Sequence, residues 1–230
     1  MNWNDSGFLL SKNKYSENSV IAEIFTKNNG KVSGIIFGAS SKKIKNYLQV
    51  GNKLHLNYFA KSDSRIGNFK VEIDEILTPI FFDDRKKLAC ILSALNLIKL
   101  LTVEFQENKN IYLSIDNFFK ILSEENWLRD FVLWELEFLK IIGYDLKLED
   151  LVSNEIVNGK VTYFVKSNGS KKIIPSFLIE KNLGINNNTE LLNGLKLVGD
   201  YLDKTILKPN SIPYPNSRLE FINLINKSNL

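Results

Sequence analysis

The sequence predicts an α+β protein. A small five-stranded barrel, residues 1–79, precedes a mainly α-helical domain, residues 80–230, with a small β-hairpin insertion near residues 151–172. Three observations carry this reading. Apolar residues recur with a period of two through the first third of the chain, switch to spacings of three and four after Thr78-Pro79, and return to a period of two between Leu151 and Lys172. Side chains alternate across a strand but recur every three or four residues on one helix face, so each change of period marks a change of element.

In the first segment Val20, Ala22, Ile24 and Thr26 alternate with Ile21, Glu23 and Phe25, the pattern of a strand with one face buried. Asn28-Asn29-Gly30 supplies a tight turn, because Asn and Gly tolerate the positive φ that hairpins need, and Lys31 to Phe37 is the returning strand. Gly7 to Lys12, Lys53 to Ala60 and Asn68 to Leu77 are the other strands. So short an open sheet would leave exposed edges, and closing it removes them. The OB-fold is a five-stranded Greek-key barrel of this size. Gly30, Gly34 and Gly38 then mark bulges or barrel corners, since no phosphate-cradling glycine motif accompanies them.

From Asp83 to Ile142 the chain reads as helical, with Asp83 or Asp84 as the first cap. Leu88, Ile91, Leu92, Leu95, Ile98 and Leu101 form an amphipathic stripe. Trp127 to Ile142 is apolar enough for a central buried helix, and Gly143 is its expected C-cap. Val161 to Val165 followed by Asn168-Gly169 forms the hairpin, and helices over Glu190 to Ile206 and Asn216 to Ile225 complete the domain.

Composition removes several function classes. Hydrophobic residues at 44% and charged residues at 24% are those of a soluble globular protein. No apolar run approaches a membrane span, and the N-terminus lacks the marks of a secretory signal, so the expected location is the cytoplasm. The single cysteine, Cys90, cannot form an internal disulfide or a cysteine zinc site; it lies in an apolar stripe and is expected to be a buried, inert thiol. The only histidine, His55, falls on the polar side of its strand, away from Leu54, Leu56 and Tyr58, with no triad pattern around it. Asp83-Asp84, Glu124-Glu125 and Glu149-Asp150 sit at helix ends or in loops, where capping and the helix dipole explain them. No catalytic residue, metal site or cofactor is therefore expected.

Charge points to a partner. Residues 1–71 hold eleven basic and four acidic side chains, a balance of +7, against 19 basic and 22 acidic, or −3, in the remainder. Ser40-Ser41-Lys42-Lys43-Ile44-Lys45-Asn46-Tyr47 is the densest basic patch. Read as a flexible connector, it tracks phosphates with Lys42, Lys43 and Lys45 while Tyr47 offers a ring for a base. Lys14, Lys31, Arg65 and Lys70, near turns or strand ends, extend the patch. Phe8, Tyr15, Phe37, Tyr58 and Phe69 are further rings, of which one or two are expected outside the core. Three functions fit these features: a DNA-handling protein, an OB-fold RNA-binding module, and a metal-dependent nuclease using the acidic pairs.

The chain also resembles a known family. Gly7-Phe8-Leu9-Leu10, Tyr15 to Ile21, Phe25-Thr26, Gly30, Gly34 and Gly38-Ala39-Ser40 are similar to the N-terminal signature of the bacterial DNA repair protein RecO. Leu48-Gln49-Val50-Gly51, Trp134-Glu135-Leu136, Gly143-Tyr144-Asp145-Leu146, Phe164-Val165 through Gly169, Pro175-Ser176-Phe177-Leu178, Gly199-Asp200-Tyr201-Leu202 and Pro215-Asn216-Ser217-Arg218-Leu219 follow in the family's order. The resemblance spans nearly the whole chain.

It implies a non-enzymatic, nucleoid-associated mediator that binds single- and double-stranded DNA and anneals complementary strands. With RecR, and RecF in many members, such a protein loads RecA onto DNA coated by the single-stranded DNA-binding protein, whose acidic C-terminal tail docks on the helical domain. The Lys42, Lys43 and Lys45 cluster matches the family's basic connector. Two departures stand out. Many members carry a four-cysteine zinc site in the hairpin insertion, whereas Leu151 stands here and no cysteine follows. Leu133 replaces an arginine common before the aromatic-Glu pair.

Overall fold

The computed structural model describes residues 1–61, 66–157, 159–167, 170–180 and 188–227. Strands β1 (Asn2–Ser16), β2 (Ser19–Thr26), β3 (Gly30–Phe37), β4 (Lys53–Phe59) and β5 (Gly67–Glu75) close into a barrel in the order β1-β2-β3-β5-β4. Among the described pairings of the barrel strands only β3–β5 is parallel. A short helix, α1 (Lys42–Tyr47), links β3 to β4. This is the OB-fold that five closely spaced strands predict. β1 is longer than its apolar core suggests because it serves two partners, pairing β4 over residues 2–8 and β2 over residues 7–16. Register shifts between Leu9 and Ser11 and between Lys14 and Ser16 bend it from one to the other.

Leu9, Ala22, Ile24, Val32, Leu54 and Leu56 point inward and form the barrel core. Ile44, Tyr47 and Leu48 pack on the same core from α1. The connector read as flexible is thus ordered as a helix. Six residues are too few to hold a helix by propensity alone, and burial of this one face supplies the rest.

Beyond the barrel come α2 (Arg85–Leu101), α3 (Lys109–Ile121), α4 (Trp127–Ile141) and the one-turn α5 (Leu148–Leu151). A three-stranded sheet follows, β6 (Ser153–Val157), β7 (Lys160–Ser167) and β8 (Ser170–Ile174), then α6 (Asn188–Leu202) and α7 (Asn216–Lys227). The helical stretch from Asp83 to Ile142 is therefore three helices. Thr102 caps α2, its hydroxyl donating to the Ile98 carbonyl at 2.7 Å, and Phe105 turns the chain with a left-handed φ of 56°. The inserted hairpin has a third strand, β8, whose Lys171 and Lys172 masked its β character. The predicted turn at Asn168-Gly169 lies outside the described residues.

The chain divides into two compact units, Met1–Phe119 with Pro215–Phe221, and Lys120–Tyr214 with Ile222–Leu230. In the first, α2 buries Cys90, Ile91, Ala94, Leu95 and Ile98, and Phe8 of β1 meets Tyr112 and Phe119 of α3 at centroid distances of 5.1 and 6.3 Å. Asp84 caps α2, accepting from the backbone N–H groups of Lys86 and Lys87, both at 3.0 Å. In the second unit, α4 is the buried helix its composition predicts. Trp134 stacks between Phe131 and Phe138 at 5.8 and 5.6 Å, and Leu133 is half-buried beside it.

Candidate nucleic-acid interface

Ile44 and Tyr47 of α1, both half-buried, and the buried Leu48 that follows the helix pack on the barrel core, while Lys42, Lys43 and Lys45 are exposed. Three like charges on one short helix repel each other, an arrangement that phosphates relieve. The helix sits at the end of the barrel that also carries the β1–β2 turn. Asn18, in that turn, accepts hydrogen bonds from the Ala39 N–H at its carbonyl, 3.2 Å, and from the Ser40 N–H at its side-chain oxygen, 3.3 Å. Lys14 and Tyr15, exposed near the end of β1, therefore share this end with the three lysines.

Lys12 belongs here as well. Its ammonium donates to the Leu48 carbonyl at the end of α1. Burial first, and then the charge on Lys45, hold its pKa below the usual lysine range. A partly buried ammonium beside a second positive charge marks a place where an added anion is favoured. Strand alternation gives no hint of this role, because the register shift after Leu9 turns Lys12 to the side shared with Ala22.

The remaining predicted residues fall in different places. Tyr47 does not offer a free ring: it packs on the barrel core, and its hydroxyl donates to the Val71 carbonyl of β5 at 3.1 Å. Burial and the carboxylate of Glu72 raise its pKa. Lys31 lies at the far end of β3, is only 8% exposed, and its ammonium donates to the Lys99 carbonyl in the last turn of α2 at 2.6 Å. There it complements the negative end of the helix dipole. Lys70 is exposed on β5, its ammonium 5.8 Å from the centre of the Phe59 ring. Arg65 lies outside the described residues. Of the rings, Phe8, Tyr58 and Phe69 are core, while Tyr15 and Phe37 are exposed.

Groups suited to catalysis are wired differently from a catalytic site. Asp74 receives Ser6 Oγ at 2.6 Å and lies 3.3 Å from His55 Nε2. Serine and histidine thus both contact the aspartate, whereas nucleophilic catalysis needs the histidine between the other two. Among the described residues no three His, Cys, Asp or Glu side chains gather as a metal site. Residues 148–174 contain neither cysteine nor histidine, so the thiolate zinc site common in the resembling family does not fit this chain. Among the described residues no helix is long and apolar enough to cross a membrane.

Residues 1–75 match the family model described as the recombination protein O N terminal. The chain is 34% identical over 194 residues to the DNA repair protein RecO of Rickettsia canadensis, an alignment covering 79% of this chain and 80% of that one. The chain belongs to the RecO family. It is also 26% identical over 234 residues to the RecO of Roseobacter denitrificans, with 96% and 97% of the two chains covered. The RecO of Rhodospirillum centenum aligns at 22% identity over 99% of this chain and 96% of its own length. RecO similarity therefore runs through the helical region as well as the barrel.

Proposed function

We propose that this RecO-family chain is a non-enzymatic mediator of DNA repair and homologous recombination, working on the nucleoid in the cytoplasm. In this reading residues 1–79 bind single- and double-stranded DNA and residues 80–230 dock protein partners. Those partners are RecR and the acidic tail of the single-stranded DNA-binding protein, and the outcome is the loading of RecA. The observation that carries the DNA-binding part is the cluster of Lys42, Lys43 and Lys45 exposed on α1, with Lys12 and Lys14 at the same barrel end. Annealing by such a surface needs no catalytic group. Neutralising phosphates lowers the repulsion between two strands and releases counterions, and base pairing supplies the free energy.

The test is annealing of fluorescent complementary strands, bare and coated with the single-stranded DNA-binding protein, at two salt concentrations. Annealing that exceeds the spontaneous rate and weakens with salt is expected. No acceleration on either substrate, together with no binding of the tail peptide, would refute the reading. Tighter binding of RNA than of DNA of the same sequence would reassign the barrel to RNA.

A further inference from the structure

The outer face of the barrel carries two exposed rings on either side of a lysine. β3 and β5 run parallel, with Ile36 beside Phe69. The next residues along the same register are Phe37 and Lys70, and both are exposed. On the other side of β5, β4 places Asn57 opposite Lys70 and Phe59 opposite Asn68. Phe59 is exposed, and the Lys70 ammonium lies 5.8 Å from its ring centre. Phe37, Lys70 and Phe59 thus sit on three adjacent strands, the two rings about 12 Å apart given two strand spacings of about 4.8 Å across and two residues of about 3.3 Å along.

Phe37 is 58% exposed and Phe59 40% exposed, although each follows an inward residue, Ile36 or Tyr58, that is fully packed. Neither ring contributes to the barrel core, and two large apolar rings beside a cation form a surface with a chemical preference. Flat, apolar faces joined by an anionic chain satisfy all three groups at once: rings take bases by stacking, and the ammonium takes a phosphate. The side-chain amides of Asn57, opposite Lys70, and Asn68, opposite Phe59, can donate to or accept from base edges. Phe37 immediately precedes the loop into α1, so a strand leaving the row meets Lys42 and Lys43 within a few residues. Glu72, the next outward residue on β5, keeps the backbone off that side.

We propose that Phe37, Lys70 and Phe59 form a stacking row for the unpaired bases of single-stranded DNA, and that this row, not the basic helix, distinguishes single strands from duplex. The inference rests on the DNA-binding reading of α1. A duplex keeps its bases stacked inside and offers the rings nothing, whereas its phosphates reach the α1 lysines as well as those of a single strand.

The experiment compares oligothymidine with a duplex by fluorescence anisotropy, using the full chain. Phe37→Ala and Phe59→Ala are each expected to lower affinity for the single strand about tenfold, within the range seen for stacked bases, with duplex affinity changed less than about twofold. Phe37→Tyr, which keeps the ring, should restore binding. Circular dichroism checks folding; since both rings are exposed, an unfolded alanine variant would itself contradict the placement and overturn the inference. Unchanged single-strand affinity, or an equal loss on both substrates, also overturns it. Charge reversal of Lys42, Lys43 and Lys45 separates the two readings. If it abolishes binding while the ring variants bind normally, only the stacking row fails; if it leaves binding intact, the α1 reading fails.

Discussion

The ring of Phe69 lies where a side chain on Gly34 would begin. A Cβ built on Gly34 stands 2.5 Å from two atoms of that ring. Gly34 pairs with Gly67 across the parallel β3–β5 contact that closes the barrel, and Phe69, two residues further along β5, leans diagonally over it. A ring held in a packed core cannot retreat by the ångström this demands, so Gly34→Ala is expected to destabilise the chain by about 1–3 kcal/mol, as overpacked cores do. Urea unfolding measures it; a midpoint equal to that of the unaltered chain would mean that Phe69 has room to move.

Asn52 has no exposed surface and ties three segments together. Its amide nitrogen donates to the Tyr47 carbonyl at 2.9 Å, and its side-chain oxygen accepts from the N–H groups of Leu77 at 3.0 Å and Thr78 at 3.2 Å. Asn52→Ala leaves buried backbone groups without partners, each costing about 1–3 kcal/mol. A loss of about 2–4 kcal/mol in chemical denaturation is expected, with the end of α1 and the segment after β5 becoming the first to exchange amide hydrogens.

The barrel strands were legible because each buries one face, which writes a period of two directly into the sequence. His55 on the exposed face and Leu54, Leu56 and Tyr58 inside follow the same rule. What the sequence hid depends on neighbours far along the chain. Lys31 looks like any strand-end lysine until α2 brings the Lys99 carbonyl to it. Tyr47 looks like a free ring until β5 offers the Val71 carbonyl. The helix α1 did leave a trace, since Ile44, Tyr47 and Leu48 stand at helical spacing, but three lysines among six residues outweighed it. Phe59 and Lys70 approach one another only through the β4–β5 register, which no local pattern contains.

Glu23 provides a pH test of the contact between β2 and α2. Burial alone would raise its pKa, but the hydrogen bond from Ser11 Oγ and the ammonium of Lys99, 3.0 Å from Oε2, outweigh it and hold the carboxyl below the usual glutamate range. A carboxyl with a depressed folded pKa stabilises the fold fully above the unfolded value, and that contribution is lost as pH falls through the folded one. Urea midpoints should therefore drop as the solution is acidified below the ordinary glutamate pKa. In Glu23→Gln that drop should be smaller, with lower stability near neutrality. Parallel acid limbs in the two proteins would show that Glu23 is uncoupled from folding.

The lysines of α1 make the most direct prediction about function. If each of Lys42, Lys43 and Lys45 neutralises one phosphate, replacing all three by glutamine removes three released counterions. The slope of log affinity against log salt should then become shallower by about 2 for single strands and nearly 3 for duplex DNA. Replacing them by glutamate should abolish binding and annealing, because each change adds repulsion to the lost attraction. Neither set touches the residues that pack α1 on the barrel core, Ile44, Tyr47 and Leu48, so circular dichroism and the urea midpoint should stay close to those of the unaltered chain. Titrations across a range of salt concentrations on both substrates decide the matter. A folded triple variant that keeps the original slope would move the phosphate contacts elsewhere on the barrel, with Lys14 and Lys70 the next residues to reverse.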